Sequence, residues 1–224
     1  LHFALGRGRK SASIGVHDLA RLVPPYNVTT APGSTQFTPL AMDEPMSIDS
    51  ILTNHPKGID YAHLLEGMEA YPVIMDTNDA VLSFPPIING NHTTVTSDTK
   101  DFFIDVTGWD PRACEASLML IASQLEERGG EVESVEITAY DGTVSDLPKA
   151  QPQTHTVTER LLNGLLGRAL TDEEVQTAMN RMGGTYLGRS PVENAPAREP
   201  ENMADVVDGV TVLYFLMPHW RFDI

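Results

Sequence analysis

The chain is poor in the residues that build covalent or metal-held scaffolds. Cys114 is the single cysteine in 224 residues. That excludes an intrachain disulfide framework and any cysteine-based zinc site. No apolar run approaches the roughly 20 residues that cross a bilayer, and nothing at the start of the sequence resembles a signal peptide. A reducing, cytoplasmic setting is the expectation. Lysine is also scarce, supplying four of the 15 basic residues against 31 acidic ones. The resulting net charge of −16 argues against a general attraction to a polyanion such as RNA. An acidic, lysine-poor surface fits adaptation to high salt, since at 1 M salt the Debye length falls to about 3 Å and self-repulsion matters little. An acidic cytosolic protein with no such history is the alternative.

What is present is an ordinary core, 41% apolar, broken into short elements. The segment SIGVHDL (13–19) has the pattern of a strand running into a turn, and Pro24-Pro25 ends any regular element. From Asn27 to Pro45 the chain is rich in Thr, Pro and Gly, the mark of loop or edge strand, and a short helix from Asp49 to Leu52 is expected to stop at Pro56. YPVIMD (71–76) and AVLSF (80–84) form a hairpin around Thr77-Asn78-Asp79, closed by Pro85-Pro86, with a further turn at Asn89-Gly90-Asn91. DFFIDVTG (101–108) alternates too little for a half-exposed strand and predicts one buried on both faces. Asp110-Pro111 opens a helix with an apolar stripe through Ala113, Ala116 or Ser117, Leu120, Ile121 and Leu125, ending at Gly129-Gly130. VESVEITAY (132–140) alternates as a strand, and DLPKAQPQT (146–154) is polar and proline-bearing, as a linker would be. Two helices follow. VTERLLNGLLG ends at Gly167, and Thr171-Asp172-Glu173-Glu174 is a capping box ahead of Val175, Ala178, Met179 and Met182 with a stop at Gly183. Ser190 to Glu201 is a Pro- and Glu-rich loop, and Val206 to Met217 is expected to be a hairpin with Gly209 in its turn.

The strings SIGVHDL (13–19), HPKGIDYAHLL (55–65), YPVI (71–74), VLSFPPIINGNHTTVT (81–96) and FIDVTGWD (103–110) occur in this order. Together they resemble the aminoacyl-tRNA editing domain of the archaeal and eukaryotic-type phenylalanyl-tRNA synthetase β subunit. LLNGLLG, the TDEE helix, RMG and PHWRFDI resemble the small domain that follows it. The resemblance covers nearly the whole chain. It implies an α/β (mixed α+β) fold: an editing domain with a mixed sheet over residues 1–146, a linker over 147–154, and a small helix-rich, winged-helix-like domain over 155–224.

The chemistry of such a site follows from its task. A pocket for phenylalanine cannot strongly reject tyrosine, which merely adds a hydroxyl, and discrimination of this kind saturates near ~10²-fold. A second site that hydrogen-bonds the hydroxyl reverses the preference, because bound phenylalanine leaves buried polar groups unpaired at about 1–3 kcal/mol each. Asp105 and Thr107 lie two apart on one strand and so share a face, and Ser83 precedes Pro85-Pro86. The resemblance implies that Ser83, Asp105 and Thr107 form the editing pocket, with Ile74, Pro85, Pro86 and Asn89 against the substrate. The alternative is that Asp105 caps a turn and Ser83 satisfies a strand edge. Arg7, Arg9 and Lys10 form the one concentrated positive run, and with Lys57 are candidate tRNA contacts or else solvated loop cations. His17, His55 and His63 lack zinc spacing and are expected to be satisfied core or turn histidines. No nucleophile stands out, so hydrolysis by a positioned water, helped by backbone N–H groups and a substrate ribose hydroxyl, is the expected mechanism.

In the resembled family, Asp223 begins a magnesium-linked acidic cluster whose other members lie beyond RFDI. One carboxylate does not hold Mg²⁺ alone, so no metal or other cofactor is expected in this fragment. Mg²⁺ and ATP serve the complete synthetase, which pairs with an α subunit in an α₂β₂ assembly and charges phenylalanine tRNA. Two rivals stay open: a non-catalytic tRNA-binding or subunit-docking module, and a free-standing nucleic-acid-binding protein, which the negative charge opposes.

Overall fold

The first elements of the computed structural model, which describes residues 1–148, 152–191, 210–218 and 220–221, are short because prolines and polar turns keep interrupting them. Strand β1 (Ser13–Asp18) ends where the Asp18 carboxylate accepts from the Ala20 N–H. Pro24-Pro25, a cis pair, separates it from β2 (Asn27–Ala31). β3 (Gln36–Phe37) and β4 (Met46–Ser47) make a small ribbon, and Ser47 then caps α1 (Ile48–Asn54) by accepting from the Ser50 N–H. Helix α1 ends before Pro56, as expected. The same proline then opens α2 (Pro56–Tyr61), which the sequence reading did not foresee. Proline at the first helical position removes only an N–H that would have no helical partner there.

β5 (Tyr71–Met75), β6 (Val81–Phe84) and β7 (Ile88–Asn89) extend β2 into a four-stranded sheet of order β2-β5-β6-β7. The β5–β6 hairpin is pinned by Asp76, whose Oδ1 accepts from the N–H groups of Asn78 and Ala80. Ile48 and Ile51 of α1 pack with Val73, Phe84 and Ile87 into the main core of this region, all fully or almost fully buried. Each such side chain contributes about 1.5–3 kcal/mol.

Among the described strands, β8 (Phe102–Thr107) pairs with β1 alone. The expected burial on both faces is therefore wrong: Phe102 is exposed and only Asp105 is buried, because a two-stranded ribbon offers a strand one neighbour and little cover. Asp110 caps α3 (Pro111–Glu126) as read, accepting from the Ala113 N–H. Its buried face differs from the expected stripe. Ala113, Ala116, Ser117, Met119 and Ala122 are buried, and Leu120, Ile121 and Leu125 are only half-buried. Small residues let the helix lie close against β8.

Chain contacts gather Leu1–Gly130 into one compact unit and Glu131–Ile224 into another, whereas composition put the boundary at Asp146. The second unit begins with an exposed hairpin of β9 (Val135–Thr138) and β10 (Val144–Leu147). β11 (Gln153–Thr158) occupies residues read as linker and helix start. Thr158 then caps α4 (Glu159–Leu166), which ends at Gly167 in the left-handed conformation (φ 70°). The capping box is present at α5 (Asp172–Arg181): Thr171 and Glu174 each bond the other's backbone N–H. Val175 and Met179 are buried, but Ala178 and Met182 are exposed. β12 (Thr185–Pro191), read in part as loop, and β13 (Thr211–Met217) complete a sheet of order β11-β13-β12. The apolar run of β13 suits its central place. The expected turn at Gly209 and most of the Pro- and Glu-rich loop lie outside the described residues. The α/β class holds, with more strand in the second unit than a helix-rich reading allows. Every pairing among the described strands is antiparallel, which replaces the expected mixed sheet.

Candidate functional site

Ile74, Ser83 and Asn89 stand in one register row across β5, β6 and β7. The Ser83 hydroxyl donates to Asn89 Oδ1 at 3.3 Å. Pro85 and Pro86, joined by a cis bond, make the tight link between β6 and β7. A cleft of about 450 Å³ opens at this corner, lined by Ser83, Pro85, Pro86 and Asn89 together with Leu40, Ser13, His55, Lys57 and Arg9. An apolar wall with a few convergent polar groups is the usual form of a small-molecule site.

Arg9 reaches the cleft from a segment whose backbone turns through the left-handed region, at φ 64° for Gly8 and 70° for Arg9. Its Nη1 donates to the carbonyls of Pro86 and Ile87 at 2.7 and 2.6 Å, and its guanidinium lies 4.2 Å from the centre of the Tyr61 ring. Burial lowers its pKa, and Tyr61 and Asp60 oppose that shift. It stays a cation, since arginine titrates far above neutrality. Lys57 is 3.9 Å from Asp60 with both side chains about half exposed, a pair of little energetic consequence. His55 caps α2: its Nδ1 accepts from the Lys57 N–H at 3.1 Å. Burial first, and the Lys57 charge second, push its pKa below the ordinary histidine value. The ring is therefore neutral at pH 7, with its proton on Nε2.

Asp105 is placed differently. Its Oδ2 lies 2.8 Å from His17 Nε2, and His17 Nδ1 lies 2.7 Å from Thr93 Oγ1. The Thr93 hydroxyl donates to the Gly90 carbonyl at 3.0 Å. His17 is wholly buried, the satisfied core histidine that was expected. Gly15 faces Asp105 across β1–β8, and a methyl group on it would overlap the carboxylate and crowd the imidazole. Thr107 pairs with Ser13, which lines the cleft. Ile74 is buried in a small cluster with Leu22 and Leu82.

The structure thus brings together Ser83, Pro85, Pro86, Asn89, Arg9 and Lys57 around one cleft. Thr107, Asp105 and Ile74 are not among the lining residues, although Thr107 pairs with Ser13, which is one. Arg7 and Lys10 are exposed on the segment leading to it. Asp223 lies outside the described residues, and among those described no three His, Cys, Asp or Glu side chains gather as a metal site. His55 and Leu40 were missed as cleft residues. The His-Pro pair, a cap followed by a first-turn proline, was the available signal for His55.

The B3/4 domain family model matches residues 2–143. The phenylalanine–tRNA ligase beta subunit of Methanococcoides burtonii is 46% identical over all of this chain and 41% of its own length. That of Methanosarcina acetivorans is 43% identical over 92% of this chain and 38% of its own. The chain belongs to the phenylalanyl-tRNA synthetase β-subunit family. An N-terminal fragment of the phenylalanyl-tRNA synthetase β subunit from Pyrococcus horikoshii has the same fold, with a TM-score of 0.82 and 30% identity over all of this chain and 58% of that one. The chain spans about two-fifths of the length of the curated β subunits it matches, and the cleft falls within its B3/4 match. No described helix is long and apolar enough to cross a membrane.

Proposed function

We propose that the cleft of this β-subunit segment hydrolyses tyrosine from mischarged phenylalanine tRNA. The observation that carries the reading is the meeting of Ser83 and Asn89 with two cations, Arg9 and Lys57, in a chain of net charge −16. Cations attract the phosphate-bearing end of an aminoacylated RNA, and the Ser83–Asn89 pair supplies directed hydrogen bonds beside an apolar wall.

With Asn89 Oδ1 accepting from Ser83, the Asn89 amide N–H groups are left to donate to the ester carbonyl as it gains negative charge. A water held in the cleft attacks that carbonyl and the terminal ribose oxygen leaves, taking up a proton. Positioning, rather than a covalent intermediate, lowers the barrier. Thr107, paired with the cleft-lining Ser13, and the Asp105 oxygen not bonded to His17 are assigned to the substrate phenol, with Ile74 beside Ser83 in the same sheet row. Phenylalanine in the same place would leave those groups unpaired, at about 1–3 kcal/mol each.

In the whole protein we assign ATP, Mg²⁺ and aminoacylation of phenylalanine tRNA to the synthetase formed with an α subunit, as α₂β₂. The test is deacylation of tyrosyl- and phenylalanyl-tRNA by this chain. Tyrosyl ester is expected to be released selectively, and Asn89→Ala to slow release by about 10²–10³-fold, the usual cost of one oxyanion donor. Binding of both RNAs without hydrolysis would instead identify a docking module.

A further inference from the structure

Trp109 is 80% exposed, although the backbone on both sides of it is tightly held. Gly108 lies so close to the Ser11 carbonyl that a methyl group there would overlap it, and the Asp110 N–H donates to the same carbonyl at 3.4 Å. The Asp110 carboxylate is engaged in capping α3. The indole is therefore presented to solvent from a fixed base. Its Cα lies within about 8 Å of Thr107, two residues back along the chain, and Thr107 pairs with Ser13 of the cleft wall.

The same place gathers positive charge. Lys10 adjoins Ser11, and the Ser11 N–H donates to the Gly6 carbonyl at 3.0 Å, folding Arg7 back beside it. Arg112 is the second residue of α3. All three cations are exposed, and none forms an ion pair with a described residue. An anchored, uncovered indole among cations suits a single nucleic-acid strand: every base has a π-face to stack, and the phosphates meet the cations.

We infer that Trp109 is a stacking platform for an unpaired base of the RNA strand that enters the cleft, with Arg7, Lys10 and Arg112 as phosphate contacts. This rests on the editing reading and adds a substrate-positioning residue to it. The strand passes Trp109 before its aminoacylated end reaches Ser83 and Asn89.

The test uses the full chain and a 5′-labelled single-stranded RNA ending in CCA, with an RNA duplex of equal length as control. Trp109→Ala is expected to weaken single-strand binding by about 5- to 100-fold, Trp109→Phe to keep most of the affinity, and the duplex to bind alike in all three. In a Trp220→Phe background, where Trp109 is the sole tryptophan, the single strand is expected to quench its fluorescence. Unchanged affinity in Trp109→Ala, or no quenching, overturns the platform even where Asn89→Ala abolishes deacylation. Lost affinity in Trp109→Ala with no deacylation by the parent chain upholds the platform and defeats the editing reading.

Discussion

Removing the Asp105 carboxylate separates a structural role from a selective one. His17 is completely buried, and each ring nitrogen has one partner, Thr93 at 2.7 Å and Asp105 at 2.8 Å. Asp105→Ala leaves Nε2 without a partner where water does not reach, which costs about 1–3 kcal/mol. The volume of the lost carboxyl adds about 1 kcal/mol more as a partly unfilled space. A total near 2–4 kcal/mol, with a urea dependence of about 2 kcal/mol per molar, lowers the unfolding midpoint by about 1–2 M. Asp105→Asn keeps a polar partner for the ring and is expected to lose less than half as much. Gly15→Ala alone is expected to cost about 1–3 kcal/mol by overpacking, because its methyl group falls on the carboxylate. In the double variant Gly15→Ala with Asp105→Ala that clash is gone, so the two effects sum to less than their parts by about 1 kcal/mol or more. A midpoint for Asp105→Ala within about 0.2 M of the parent, or strict additivity in the cycle, refutes the account of how β8 is held to β1. If stability is untouched while phenylalanyl-tRNA becomes a substrate, Asp105 selects and does not support.

Two further outcomes are expected. The His55 pKa lies below its ordinary value through burial and the Lys57 charge. The stability this contributes is complete above about pH 6.5 and is lost as pH falls through the lower folded value, because the unfolded chain takes up the proton first. Lys57→Gln removes the smaller cause, so the NMR titration midpoint of the His55 ring should move upward; a downward or absent shift contradicts the assignment. In the second unit, Thr171→Ala removes the acceptor for the Glu174 N–H, 3.2 Å away. The loss of about 1 kcal/mol should speed amide exchange in the first turn of α5 about fivefold, and unchanged exchange would show that the cap adds nothing.

Local chemistry is what made much of the fold legible. Caps and prolines announce themselves because their effect is confined to neighbouring residues: Asp110-Pro111, the Thr171–Glu174 box and the stop before Pro56 all stand where they were read. The failures share a different cause. Nothing within DFFIDVTG says that it has one neighbouring strand among those described, and the spacing of leucines in α3 does not reveal that its alanines are buried more deeply. β11 was hidden because threonines and a glutamine directly after Pro148 and Pro152 resemble a linker until β13 pairs with them.

The candidate site divides along the same line. By itself the sequence determined the family, through motifs in register, and the local corner of Ser83, Pro85, Pro86 and Asn89, which a short chain segment closes on its own. Only the tertiary structure decided that Arg9 crosses to the carbonyls of Pro86 and Ile87, nearly eighty residues away in the chain. Only it gave the Asp105 carboxylate to a buried histidine on the facing strand. Such pairings depend on which strands meet, and a hydrogen bond between distant residues leaves no spacing in the sequence to be read.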